Sequence, residues 1–144
     1  MRSGWTRLRI RAAIALLLVT PAGFLTKFAL PAWLGGAAGR WCNLYGAAVL
    51  YEVFWVLVLA VLSPRLGPRR SATGVFLATC VLEFLQRWHA PWLDDLRRTF
   101  LGAALLGNGF DWLDFPHYAL GSALGGALAW RLRRETPRRT EYAR

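Results

Sequence analysis

From Asn43 to Leu62 the chain runs for twenty residues with a single charge, Glu52, and this run limits what the rest can become. It has three counterparts. Ala12 to Leu30 carries only Lys27, Ser71 to Gln86 only Glu83, and Phe115 to Leu132 only Arg131 near its end. A helix rises about 1.5 Å per residue, so runs of about 17–20 residues match a hydrocarbon layer about 30 Å thick. Four of them in 144 residues leave almost no length for a soluble domain. The patterning predicts an all-α fold: an integral membrane four-helix bundle forming one transmembrane domain over residues 1–144. The helices are expected at about 12–30, 43–62, 71–88 and 115–133.

A net charge of +10 would suit a nucleic-acid binder, but the basic residues are not spread as such a surface needs. Arg2, Arg7, Arg9 and Arg11 precede or open the first run, and Arg65, Arg69 and Arg70 separate the second from the third. Arg131, Arg133, Arg134, Arg138, Arg139 and Arg144 close the chain. An even number of spans puts all of these on one side, which the positive-inside rule makes the cytoplasm. The remaining cations, Lys27, Arg40, Arg87, Arg97 and Arg98, share the other side with Glu52, Glu83, Asp94, Asp95, Asp111 and Asp114. Trp33, Trp41, Trp88, Trp92 and Trp112 fall at that outer boundary, as an aromatic belt would. The expected partner is the lipid bilayer, not nucleic acid. The first run also reads as a signal peptide, but Pro31–Trp33 is a poor cleavage site and a retained helix keeps the spans even.

Between the runs, Pro21 and Gly23 should bend the first helix, and "PAWLGGAAGRWCN" reads as an external loop with a glycine turn. Ser63-Pro64 should stop the second helix. In segment 93–109 the uncharged stretch Thr99 to Phe110 is only twelve residues, about 18 Å as helix and too short to span. It is expected to be a short interfacial or re-entrant helix between helices three and four, stopped at Gly107 or Gly109. Residues 134–144 read as a solvated cytoplasmic tail. Cys42 and Cys80 fall at different depths, which disfavours a disulfide. Gly121, Gly125 and Ala129 form a small-residue stripe for helix packing, within the bundle in preference to a homo-oligomer.

The chemistry concentrates at the outer ends of helices three and four. An acid at a helix centre in lipid costs about 2.5–3.5 kcal/mol, so Glu52 and Glu83 should face inward and find partners. Gln86 and Arg87 share a face with Glu83. Two readings stand for them: a structural Glu83–Arg87 pair, or a polar pocket opening outward. Asp114, ahead of Phe115-Pro116, is placed to cap helix four, whereas Asp111 has no such role. Glu83, Gln86, Asp111, Asp114 and Tyr118 are expected to converge at the outer third of the membrane, with Arg97 or Arg98 reaching back to neutralise the acids. His89 and His117 end and begin neighbouring helices; a b-type haem between them is the minor alternative to no cofactor. No serine–histidine pairing, phosphate loop or metal-spaced Cys/His cluster is present, so no metal is expected and a non-enzymatic role is favoured. The alternatives are an intramembrane enzyme acting on a lipid-linked substrate through Glu83 with Asp111 or Asp114, and a small structural or interaction subunit.

The same residues carry a resemblance. "EFLQRWHAPWLDDLRRTFLGAALLGNGFDWLDFPHYALG", with "YGAAVLYEVFW" upstream, resembles DUF2809, a bacterial family of small membrane proteins of unknown function. The matching positions are Glu83, Gln86, Arg97, Leu106, Gly107, Phe110, Trp112, Asp114, Tyr118 and Gly121, within a likeness spanning about Lys27 to Arg133. The resemblance implies a four-helix protein of the bacterial inner membrane and supplies no activity. A looser similarity, in the spacing of Glu83, Gln86, Asp114, Tyr118 and Gly121, reaches the VanZ-like proteins linked to glycopeptide-antibiotic resistance and the cell envelope. Tyr118 departs from that pattern, which usually has asparagine there.

Overall fold

The computed structural model describes residues 2–99, 101–102 and 109–135, and every regular element among them is helical. Seven α-helices follow in order: α1 (Arg2–Phe24), α2 (Leu30–Leu34), α3 (Gly36–Trp41), α4 (Ala47–Leu62), α5 (Pro68–Leu85), α6 (Pro91–Arg97) and α7 (Asp114–Arg134). Two π-helical turns, Leu25–Ala29 and Cys42–Gly46, join α1 to α2 and α3 to α4. Two continuous helices result, Gly4–Leu34 and Gly36–Leu62, both long and apolar enough to cross a membrane.

The stretch 31–43 is therefore not the loop its glycines suggested. The expected glycine turn is there, at Gly35 and Gly36 with φ 64° and 51°, where a Cβ would be strained, but helix runs up to it and resumes at once. The first helix also starts at Arg2, ten residues before the apolar run, because the four arginines of that stretch sustain a helix as readily as its Leu8 does. Pro21 lies inside α1 without ending it. Just beyond it the Thr26 hydroxyl donates to Ala22 O at 2.8 Å, and the backbone ladder widens so that the Leu30 N–H reaches Leu25 O. The second π turn does the same from Ala47 to Cys42. The two widened turns lie against each other: Asn43 Nδ2 donates to Lys27 O at 2.7 Å, and Lys27 Nζ to Asn43 O at 3.1 Å.

Helix α4 is the axis of the molecule, packing against α1, α5 and α7, while α5 also packs against α7. Its end at Leu62 comes just before Ser63-Pro64, as expected. Pro68 opens α5 at a position where its missing N–H costs nothing, three residues before the expected start, and the helix stops at Leu85 rather than 88. The buried face of α5 is a four-residue repeat of Ser71, Val75, Thr79 and Glu83. Helix α7 buries Gly121, Ser122, Gly125 and Ala129. A Cβ on Gly121 would lie 2.5 Å from Val49 O and 2.6 Å from Glu52 Cβ, and one on Gly125 would lie 3.0 Å from Val56 Cβ. Bare glycine lets α7 lie almost backbone to backbone on α4. In segment 93–109, α6 is a short helix that begins at Pro91 and ends at Arg97, while 103–108, including Leu106 and Gly107, lie outside the described residues, as does the tail from 136.

Candidate functional site

The ends of α4, α5 and α7 that lie near Gly35 bring the acids together. Glu83, in the last turn of α5, has no exposed surface. Its Oε1 accepts the Asp111 backbone N–H at 2.7 Å. Its Oε2 accepts the Tyr118 hydroxyl and the Gln86 Nε2, each at 2.9 Å. Three of the roughly four acceptor positions on a carboxylate are thus taken by donors from α5, α7 and the chain entering α7. Gln86 extends the network by accepting the Gly109 N–H on Oε1 at 3.0 Å.

Among the described residues no side chain caps α7; Asp111 builds the turn that leads into it. Its Oδ1 accepts the Leu113 N–H at 2.9 Å and its backbone carbonyl accepts the Asp114 N–H, closing the turn that starts α7. Its Oδ2 accepts the Tyr45 hydroxyl at 2.9 Å, which ties in the α3–α4 helix as well. Asp114 is the first helical residue and makes no capping bond. It is half-buried, and its one side-chain hydrogen-bond partner among the described residues, the Tyr118 hydroxyl, is 3.5 Å away. Burial, reinforced by the charges of Glu83 and Asp111, pushes its carboxyl up to about 6.

The arginines expected to neutralise these acids do not reach them. Arg97 donates through Nη2 to Leu85 O at 2.8 Å and through Nη1 to Trp88 O at 3.1 Å, while pairing with Asp94 at 3.0 Å. Its guanidinium closes the C-terminal end of α5, where free carbonyls and the negative end of the helix dipole attract a cation locally. Arg98 pairs with Asp95 on the surface. Arg87 does not pair with Glu83 either; it lies over the Phe110 ring at 5.1 Å, at the edge of an aromatic cluster of Phe84, Phe110, Trp112 and Phe115. Backbone N–H and hydroxyl donors hold the cluster together where cations were expected.

The two histidines sit in different settings. His89 is exposed and 3.5 Å from Asp94. His117 stacks on the Tyr45 ring at 4.4 Å, with Nδ1 2.6 Å from Leu113 O. Among the described residues no three His, Cys, Asp or Glu side chains are placed to hold a metal ion. Cys42 and Cys80 are free thiols. An open cleft lined by Pro31, Gly35, Gly39, Arg40 and Asn43 lies at the α2–α3 hairpin, apart from Glu83.

Sequence reasoning brought Glu83, Gln86, Asp111, Asp114 and Tyr118 to one place and missed Tyr45 and Ser122. Tyr45 is seven residues before Glu52, two turns along one face, and Ser122 is one turn beyond Tyr118. That helical spacing was the available signal.

The family model described as "Protein of unknown function (DUF2809)" matches residues 37–122. The chain belongs to the DUF2809 family. The matched span is more than half of the chain and holds every residue of the cluster from Tyr45 to Tyr118, with Glu52, Gly121 and Ser122. It is narrower than the 27–133 suggested by sequence, leaving out α1 and the end of α7. No solved structure matches this DUF2809 chain.

Proposed function

We propose that this DUF2809 protein is a multi-pass protein of the bacterial inner membrane with a non-enzymatic acidic site on its outer face. The α1–α2 helix, the α3–α4 helix, α5 and α7 each cross the bilayer, with both termini in the cytoplasm. Polarity supports the crossing. Glu52, Ser71, Thr79, Glu83 and Ser122 are buried, while Leu17 (74% exposed), Leu18 (69%), Leu77, Val81, Leu120 and Leu124 face outward. A bundle that is polar inside and leucine-covered outside is stable in lipid, and in water would present a far larger apolar patch than monomers tolerate. Charge supports the orientation: Arg133 over Trp5, Arg134 over Trp130 and the Arg11–Glu135 pair gather at the end opposite the carboxylates. Short α6 with Trp92 lies at the outer interface between the last two spans.

The observation that carries the site is the contrast between two neighbouring carboxyls. Glu83 is filled by protein donors and so is a poor base or nucleophile, which weighs against the intramembrane enzyme reading. Asp114 retains open acceptor positions at the start of α7. A carboxyl held near 6 offers either a proton or a charge to an arriving amine or hydroxyl. Its ligand is therefore a lipid or lipid-linked headgroup bearing such groups. The envelope assignment follows the likeness of the Glu-x-x-Gln and Asp–Tyr–Gly spacing to VanZ-like proteins.

The test is native mass spectrometry of full-length protein released from membranes in mild detergent, wild type beside Asp114→Asn. A lipid species retained by wild type and at least tenfold depleted in the variant is the expected result. Equal lipid in both removes the site and leaves the structural-subunit reading. Chemical turnover of added lipid-linked substrate that disappears in Glu83→Gln would establish the enzyme instead. A reporter fused after Arg144 should be active only in the cytoplasm; periplasmic activity contradicts the four-span topology.

A further inference from the structure

Glu52 lies outside the network at the helix ends, on α4 where α5 and α7 meet. No part of it is exposed. The Ser122 hydroxyl donates to Oε2. Oε1 is buried and has no hydrogen-bond partner. The described ion pairs join Arg11, Arg97, Arg98 and Arg131 to other acids, and none involves Glu52. The groups facing it are Ser122 and Tyr118 from α7, and Thr79, Cys80 and Glu83 from α5, with Tyr51 beside it on α4; none is basic.

The Thr79 hydroxyl donates to the carbonyls of its own helix, Phe76 O at 2.9 Å and Val75 O at 3.1 Å. A carboxylate at Glu52 would keep one buried oxygen without a donor and, among the described residues, no ion-pair partner, an arrangement that burial penalises strongly. A neutral acid brings no charge into that setting. On α7, Ser122 donates to Glu52, while Tyr118, one turn along, donates to Glu83, whose Oε1 takes the Asp111 N–H.

We propose that Glu52 is a proton-binding site at the centre of the bundle, holding an exchangeable proton at neutral pH on its unpartnered oxygen. When the site empties, Glu52 becomes a carboxylate and its proton passes to solvent water. The ligand is the proton itself, which makes this DUF2809 chain proton-responsive at a group separate from Asp114. The site does not depend on the lipid reading.

Infrared spectroscopy of the full-length protein in lipid vesicles reads the site directly. Wild type at neutral pH should show the carbonyl band of a neutral carboxylic acid, lost in Glu52→Gln and kept in Glu83→Gln and Asp114→Asn. Raising the pH should bleach the band in wild type. A Glu52→Gln spectrum identical to wild type overturns the proposal. Bleaching by added sodium with no pH dependence overturns it too, in favour of a cation site. Should Glu52→Gln lose its helical circular dichroism, a hydrophobic carbodiimide on wild type serves instead. It reacts only with the neutral acid: a carboxyl oxygen bonds to the carbodiimide carbon, the acid proton passes to nitrogen, and acyl migration leaves a stable N-acylurea. The adduct should map to Glu52 and its rate should fall as pH rises. An unmodified Glu52 overturns the proposal.

Discussion

Glu52 and Glu83 are both glutamates without exposed surface, on adjacent helices and facing the same helix α7, yet their surroundings are opposite. Glu83 is met by donors from a side-chain amide, a phenol and a backbone N–H. Glu52 is met by one hydroxyl on Oε2, while its buried Oε1 has no hydrogen-bond partner among the described residues. The difference follows from position. At the end of α5 the chain leaving and re-entering the bundle supplies unpaired N–H groups, whereas at mid-helix every backbone donor is already used. A buried carboxylate can be held by backbone where helices end; where they run on, it must find side chains or a proton.

The largest predicted effect breaks this comparison at its strong side. Glu83→Ala leaves the Asp111 N–H, the Tyr118 hydroxyl and the Gln86 amide without an acceptor. It should lower unfolding free energy by about 3 kcal/mol or more. Glu52→Gln, which keeps an acceptor for Ser122 and places no charge in the buried site, should change it by less than about 1 kcal/mol. Thermal or denaturant unfolding of the two variants in one detergent checks the contrast, and equal losses would erase it.

Next in size is the wall that fixes Glu52. Gly121→Ala brings a methyl group against Val49 O and Glu52 Cβ, so about 1–3 kcal/mol should be lost to overpacking. On α5, Gly74 has open space around it. Gly74→Ala should instead gain about 0.5–1 kcal/mol from helix propensity. The same unfolding assay separates them, and a stabilising Gly121→Ala would mean that α7 lies further from α4.

A smaller loss is expected for Tyr45→Phe, which removes the bond to Asp111 Oδ2 and leaves that oxygen at a half-exposed position. The variant should unfold before wild type and well after Glu83→Ala. Unfolding at the wild-type midpoint would show that Tyr45 contributes nothing to the cluster.

Part of this structure is legible in the amino-acid pattern and part is not. Charge-free runs marked the long helices because excluding charge over twenty residues has few other physical uses. They could not mark the π turns at Leu25–Ala29 and Cys42–Gly46, since a widened turn uses the same residues as an α turn and is set by contact between helices. Helix spacing placed Glu83, Gln86 and Tyr118 on facing sides. Charge alone misassigned Arg97, because attraction to distant acids lost to carbonyls at the nearby end of α5. Asp114 looked like the cap from its place before Phe115-Pro116, but the helix begins at Asp114 itself without a side-chain cap, and Asp111 closes the turn before it.

A further predicted effect concerns pH. Folding raises the Asp114 carboxyl from 3.8 to about 6, so the folded state favours its protonated form. Its stabilising contribution is fully present below pH 3.8 and is lost as pH rises through about 6. Asp114→Asn should flatten the stability profile across that window while leaving neighbouring regions of the curve unchanged. An undiminished slope in the variant would assign it to another group.

The claim that Glu83 and Tyr118 form one structural unit, to which Glu52 does not belong, is tested most directly by paired double-mutant cycles. Glu83→Gln with Tyr118→Phe should show a coupling of about 1–2 kcal/mol, because the two share the 2.9 Å bond. Glu52→Gln with Tyr118→Phe should be additive within about 0.5 kcal/mol. Additivity in the first cycle, or equal coupling in both, would contradict the account.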